Sequence, residues 1–192
     1  MKNYLDIALG PAALDLQTER GSRGAYDTTS DGLDRLSPEE IEQITSAQHF
    51  YMATVNEDGW PYVQHRGGDV GFVHQLGPTT IGWAERKGNR QYIGAGNLVA
   101  NGRVSMIFVD YPTRTRLKLF GTAMLDRSPT DDVLETVGAA GFRTDGVVTV
   151  EVLATNWNCP KFIEPRFTAE QIDAAVGPLR DRVAELEATL AV

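Results

Sequence analysis

Read for its pattern of apolar and polar positions, the chain changes character along its length. Residues 1–36 mix Gly, Asp, Arg, Ser and Thr without a sustained period and read as an irregular arm, with one short helix over 11–18. Ser37-Pro38-Glu39-Glu40 is a helix start: serine caps, proline takes the first turn where its missing N–H costs nothing, and Glu40 closes a capping box. That helix is predicted to run to about residue 47.

Strand patterns follow. Residues 50–55 are apolar and rich in β-formers, Asn56-Glu57-Asp58-Gly59 is a turn, and 60–66 resumes as the second arm of a hairpin. Further strands are predicted over 70–75, 79–84, 103–110, 116–125 and 147–154, the last with the clearest alternation in the chain. A helix is expected over 89–100, and another begins at Ser128-Pro129-Thr130-Asp131. Strands dominate the middle with only two helices among them. Such an order excludes a doubly wound parallel sheet and favours an antiparallel barrel or sandwich with helices at its periphery.

The C-terminal segment is helical in period. Thr168 and Gln171 form a capping box, and Ile172, Val176, Leu179, Val183, Leu186 and Leu190 recur at alternating steps of four and three. Gly177-Pro178 interrupts this narrow seam, which packs either on its own domain or on a partner. The division expected is an arm over 1–36, a domain over 37–166 and a C-terminal helix over 167–192.

Composition narrows the function classes. The single Cys159 excludes an intramolecular disulfide and any cysteine-based zinc finger, and three histidines leave little material for a metal site. No apolar run reaches the roughly 20 residues of a membrane span, and residues 1–10 lack a signal-like apolar core. A soluble, cytoplasmic protein is expected. The net charge of −8 is unevenly spread: residues 1–44 carry −5, 45–125 carry +3 and 126–192 carry −6. An acidic protein with a basic centre is a poor nucleic-acid binder but permits a local anion site.

Candidate chemistry lies in that centre. Gln64, His65 and Arg66 stand consecutively on a strand and precede Gly67 and Gly68. Gln64 and Arg66 share one face while His65 points to the other, which suits either an acceptor-rich planar ligand or a solvated edge strand. Glu85-Arg86-Lys87-Gly88-Asn89-Arg90 sets three cations before the predicted helix, either a phosphate cradle or a surface turn, without the spacing of a Walker loop. Arg114, Arg116 and Lys118 alternate on a strand, ordinarily a solvated sheet face. Cys159 is followed by proline and has no base nearby in sequence, so it is not read as a nucleophile. No Ser-His-Asp set or carboxylate pair stands out, and no catalytic residue is assigned. Cations and amides of this kind bind and tune a cofactor.

These segments together, Gly59-Trp60-Pro61-Tyr62, Gln64 to Gly68, Gly88-Asn89-Arg90, Gly96-Asn97-Leu98 and the strands at 103–110 and 119–123, resemble the pyridoxamine 5′-phosphate oxidase-like flavin-binding proteins over residues 40–165. Asn158-Cys159-Pro160-Lys161-Phe162-Ile163 looks like a branch in which such a domain is sometimes joined to a ferredoxin reductase. The resemblance implies a mainly β, six-stranded antiparallel Greek-key split barrel, a homodimer with FMN in a groove between subunits, and oxidoreductase activity on a small molecule through flavin N5. By position it implies that Gln64, His65, Arg66 and Gly67 run along the flavin and that Arg90, Asn89 and Lys87 take the phosphate. Arg116 would stand near the ring, with Trp157 and Lys161 entering from the partner subunit. A deazaflavin or haem in the same barrel, or a flavin-binding protein without catalysis, are the alternatives. The phosphate helix reads Gln91-Tyr92-Ile93-Gly94 and no Arg-x-His follows near the C-terminus, which departs from the pattern of true pyridoxamine phosphate oxidases.

Overall fold

In the computed structural model, the description covers residues 1–25, 34–157 and 160–190. The predicted loop at 27–32 and the expectations for Asn158 and Cys159 lie wholly or largely outside the described residues. Seven strands form one antiparallel sheet: β1 (His49–Val55), β2 (Pro61–Gly67), β3 (His74–Gln75), β4 (Thr80–Arg86), β5 (Arg103–Asp110), β6 (Thr115–Asp126) and β7 (Thr144–Trp157). Their order is β2-β1-β5-β6-β7-β4-β3. The six strands implied by the resemblance thus become seven, the extra one being the two-residue β3.

The sheet is curled. Phe50 on β1 and Trp83 on β4 lie four strands apart in the order, a separation of about 19 Å in a flat sheet. Their ring centroids are 4.9 Å apart. Alternation drives the closure: Phe50, Met52, Val104, Met106, Phe108, Leu117, Leu119, Val148 and Val150 point inward and are buried, while residues between them point out. Burying such a set, at about 25 cal/mol per Å² of apolar surface, is the main force that rolls the sheet. Between β2 and β4 the barrel is split, because β2 pairs only with β1.

Helices flank the sheet. In α3 (Pro38–Thr45) Ser37 accepts from the Glu40 N–H at 3.2 Å and Glu40 accepts from the Ser37 N–H at 2.7 Å. The expected capping box is present, and Leu36 and Ile44 beside it enter the core. The short α1 (Tyr4–Ala8), which the sequence pattern did not suggest, stacks Tyr4 on Phe120 at 4.6 Å. Helix α2 (Pro11–Glu19) follows it, and α5 (Asp131–Thr136) joins β6 to β7.

Two expected elements are shorter than their patterns. The run 70–75 contributes only His74–Gln75 to the sheet. Gly71 turns there at φ +87°, and Val73 enters the core from a loop. The helix predicted from residue 89 is α4 (Ile93–Ala100). Arg90 and Tyr92 adopt left-handed backbone, at φ 63° and 53°, which no α-helical turn tolerates.

Helix α6 (Ala169–Leu190) closes the described chain as one helix through Pro178. Thr168 and Gln171 exchange both capping bonds, at 2.9 and 3.2 Å. None of its residues is buried. Among the described residues no helix is long and apolar enough to cross a membrane.

Candidate functional site

The split between β2 and β4 opens into a cavity of about 640 Å³. Its wall on one side is β2, whose alternation turns Tyr62, Gln64 and Arg66 inward. Opposite stand Glu85 and Arg86 at the end of β4, then the loop from Gly88 to Tyr92 and the first turn of α4. Leu125, Arg127 and Asp145, where β6 passes to β7, complete the lining.

Long-range packing sets these elements. Asn97 of α4 is buried and donates from Nδ2 to Thr54 Oγ1 on β1 at 2.9 Å, which ties the helix to the sheet. At the end of β4 the ladder to β7 shifts register between Glu85 and Arg86, so that consecutive residues both reach the cavity. Arg66 and Glu85 form an ion pair across the split, from Nη1 to Oε1, with both side chains only about 15% exposed. Arg66 Nε and Glu85 Oε2 have no hydrogen-bond partner among the described residues. Protein groups therefore leave both a donor and an acceptor unmet at the cavity wall, and such groups are costly unless something satisfies them.

The floor is shaped by absent side chains. A Cβ at Gly94 would stand 2.8 Å from Gln64 Oε1 and 3.5 Å from Arg66 Nη2, so glycine lets the helix approach without displacing the Gln64 amide. At Gly88 and Gly96 a Cβ would meet nothing within 4 Å, leaving open space.

The cavity is cationic. Arg66, Arg86, Arg90 and Arg127 stand against Glu85 and Asp145. Arg86 has only a 3.5 Å contact to the exposed Asp69, a weak pairing in water, and among the described residues Arg90 and Arg127 have no ion pair. Helix α4 begins without a side-chain cap, so its first N–H groups, at Ile93 to Ala95, are left for a ligand on the cavity side. In the loop before it, Asn89 Oδ1 accepts from the Gln91 N–H at 3.1 Å, and the left-handed Arg90 and Tyr92 hold the turn. Two non-glycine residues in that conformation cost roughly 1–3 kcal/mol each, strain that commonly collects where a ligand binds.

Of the residues singled out from the sequence, the fold brings Gln64, Arg66, Asn89 and Arg90 to this cavity. Six others stand outside its lining: His65, Gly67, Lys87, Arg116, Trp157 and Lys161. Arg116 projects with Lys118 from the other face of β6, where burial and the Arg116 charge lower the Lys118 pKa. Tyr62, Glu85, Arg86 and Gly94 line the cavity from segments that the sequence singles out without giving them a cofactor role, while Arg127 and Asp145 are not among its candidates. Arg127 and Asp145 carry no local signal, because only the β6–β7 register delivers them.

His65 belongs to an aromatic array on the outer face of the sheet. Its ring stacks on His49 at 5.7 Å, His49 stacks on Tyr111 at 5.8 Å, and Tyr51 stands edge-on to both imidazoles. Arg166 lies 4.9 Å over the Tyr111 ring. Burial, then the nearby His65, pushes the His49 pKa below the usual 6.5. Above that value His49 is neutral in both folded and unfolded chains, so its neutral packing is fully favourable. As pH falls through about 6.5 the unfolded chain binds a proton that the folded one refuses, and stability declines until the lowered folded pKa is reached. Melting temperatures followed from about pH 8 to about pH 5 are expected to fall less steeply in His49→Gln than in the parent; equal slopes would remove His49 from this account.

Among the described residues no group of three or more His, Cys, Asp or Glu side chains is placed to hold a metal ion.

Residues 37–146, more than half of the chain, match the family model described as pyridoxamine 5′-phosphate oxidase. No curated protein matches the chain by sequence. Among solved structures, the chain resembles a pyridoxamine 5′-phosphate oxidase-type protein from Lactobacillus delbrueckii, with 20% identity, TM-score 0.52, and 66% of this chain and 97% of that one covered. A variant of HupZ from Group A Streptococcus is 18% identical at TM-score 0.50, covering 64% and 98%. HutZ, the haem-storage protein of Vibrio cholerae, is 18% identical at TM-score 0.45, covering 64% and 94%. At these identities the first two likenesses are ones of fold.

Proposed function

We propose, for a chain that belongs to the pyridoxamine 5′-phosphate oxidase family, that the cavity at the barrel split binds FMN and that the protein is a flavin-dependent oxidoreductase acting on a small molecule. The observation that carries the reading is the pairing of two chemistries in one cavity: surplus arginines beside an uncapped helix start, and a polar wall with both donor and acceptor capacity unmet.

The residues fit the group. Arg90, Arg86 and Arg127, with Asn89 and the first N–H groups of α4, would hold the phosphate by charge-assisted hydrogen bonds. Gln64, Arg66 and Glu85 would meet the polar edge of the ring, which carries both a donor and acceptors. When bound, the flavin supplies reversible hydride transfer. The chain supplies orientation and charge. Glu85 fixes the guanidinium of Arg66 in one place, so a positive charge stands ready at the cavity wall without reorganisation. Buried hydrophobic residues behind β4 keep water from that side.

A homodimer that closes the cavity mouth belongs to the same proposal. Trp60, Tyr92, Ile93 and Val99 are exposed large apolar residues on and beside the cavity lining, and a second subunit would cover them and could bring Trp157 and Lys161 to the ligand. Among the described residues that line the cavity there is no histidine, cysteine or methionine, and of the side chains that ligate haem iron only Tyr62 and Tyr92 are there, which supports a flavin or deazaflavin over a His-, Cys- or Met-ligated haem. The absorption spectrum of the protein after incubation with each cofactor and gel filtration tests the choice. Two flavin bands retained after FMN support the reading. Retention of only the single deazaflavin band, or of a Soret band, would replace it.

A further inference from the structure

We propose that helix α6 pairs with α6 of a second copy of this chain as a parallel, in-register two-stranded coiled coil. Among the described residues its seam is left open: Ile172, Leu179, Val183, Leu186 and Leu190 are all exposed, and of the whole helix only Val176 and Gly177 are even half-buried. Alternating steps of four and three make these residues a heptad core, with Val176, Val183 and Leu190 at one position and Ile172, Leu179 and Leu186 at the other. Val176 and Val183 at the first position with Leu179 and Leu186 at the second are the combination that favours two parallel strands, and only the end residues Ile172 and Leu190 depart from it.

The flanking charges select the direction. In a parallel pair Arg182 of one copy stands beside Glu187 of the other, and the twofold axis makes that attraction twice. Turned antiparallel about the same seam, Arg180 would face Arg180, Arg182 would face Arg182, and Asp173 would face Glu187. Every flanking charge contact is then repulsive. Within one helix Arg182 contacts Glu185 at 2.8 Å and Arg180 contacts Asp173 at 3.0 Å, but all four side chains are about two-thirds exposed. Such pairs are worth little in water and do not compete with pairing between copies. Gly177 and Pro178 fall on the outward side of the seam, so the lost backbone bond at Pro178 does not enter the interface. The inference needs neither the cofactor nor a dimer of barrels, although two barrels already paired would raise the effective concentration of the helices.

Disulfide trapping in the full chain tests it, in a Cys159→Ser background so that each variant carries one thiol, with circular dichroism to verify folding. Leu186→Cys puts the thiol at the core position, where parallel helices bring Cα atoms into disulfide range, and Glu185→Cys puts it one residue away, facing solvent. Leu186→Cys is expected to form covalent dimer about tenfold faster than Glu185→Cys. Adding Arg182→Glu should slow Leu186→Cys about fivefold, and adding Glu187→Arg as well should restore the rate. Equal rates at 185 and 186 overturn the proposal, as does a thiol at 186 that stays reduced, whether the barrel shields it or reagent reaches it. A rate indifferent to the charge exchange overturns the parallel register.

Discussion

Replacement of Gly94 by valine is expected to weaken FMN binding by about 100-fold while leaving the barrel folded. A Cβ at this position reaches to 2.8 Å from Gln64 Oε1, the far end of a flexible side chain, so the amide swings away before the backbone has to move. The helix itself gains, since glycine inside a helix costs about 1 kcal/mol relative to alanine and valine somewhat less. The loss falls on the site. The two valine methyls would occupy space beside Gln64 and Arg66, and a ligand group left without its partner there costs about 3 kcal/mol, or about 100-fold. Titration of the variant with FMN by fluorescence quenching, set beside its thermal melt, separates the two effects. An unchanged affinity with an unchanged melt would remove the α4 start from the binding site.

Gly146→Ala is expected to have the largest effect on stability, about 3 kcal/mol or more. A Cβ there would sit 2.2 Å from the Asp126 carbonyl oxygen and 3.0 Å from Leu125 Cδ1, and the residue holds φ at +143°. Unlike the contact at Gly94, the atom in the way is backbone of a paired strand and cannot rotate aside, while the backbone conformation is itself strained for any other residue. For a chain of this length the loss corresponds to a fall of about 6–12 °C in melting temperature. The site should suffer too, because Gly146 pairs with Glu85 where β4 shifts register, and its neighbour Asp145 lines the cavity. Circular dichroism melts check the first consequence; a melting temperature equal to the parent's would contradict the packing described for this corner.

The contrast between these two glycines shows what could be read without the fold. Local periodicity located six of the seven strands to within a few residues, because alternation reports directly on which side of a sheet is dry. It overextended the third, since Phe72 and Val73 are apolar for the core's sake yet reach it from a turn. The alternation in β2 likewise put Gln64 and Arg66 on one face and His65 on the other, as the structure has it. Other parts of the site depend on contacts between distant segments. Glu85 pairs with Arg66 only because the sheet curls, and Arg127 and Asp145 arrive only through the register of β6 against β7. The start of α4 was misplaced for a related reason. Arg90 and Tyr92 hold left-handed backbone, which neither residue type signals. In α6 the seam was plain from its spacing, whereas only the fold shows that the barrel leaves it exposed.

The central claim is that one cavity holds a phosphorylated flavin through its cations. Affinity for FMN and for riboflavin, identical but for the phosphate, measured by fluorescence titration at low salt, tests it most directly. Charge-assisted hydrogen bonds to Arg90 and its neighbours predict FMN bound about 30-fold more tightly than riboflavin, with the difference narrowing in Arg90→Gln. Equal affinities for the two in the parent chain would contradict it.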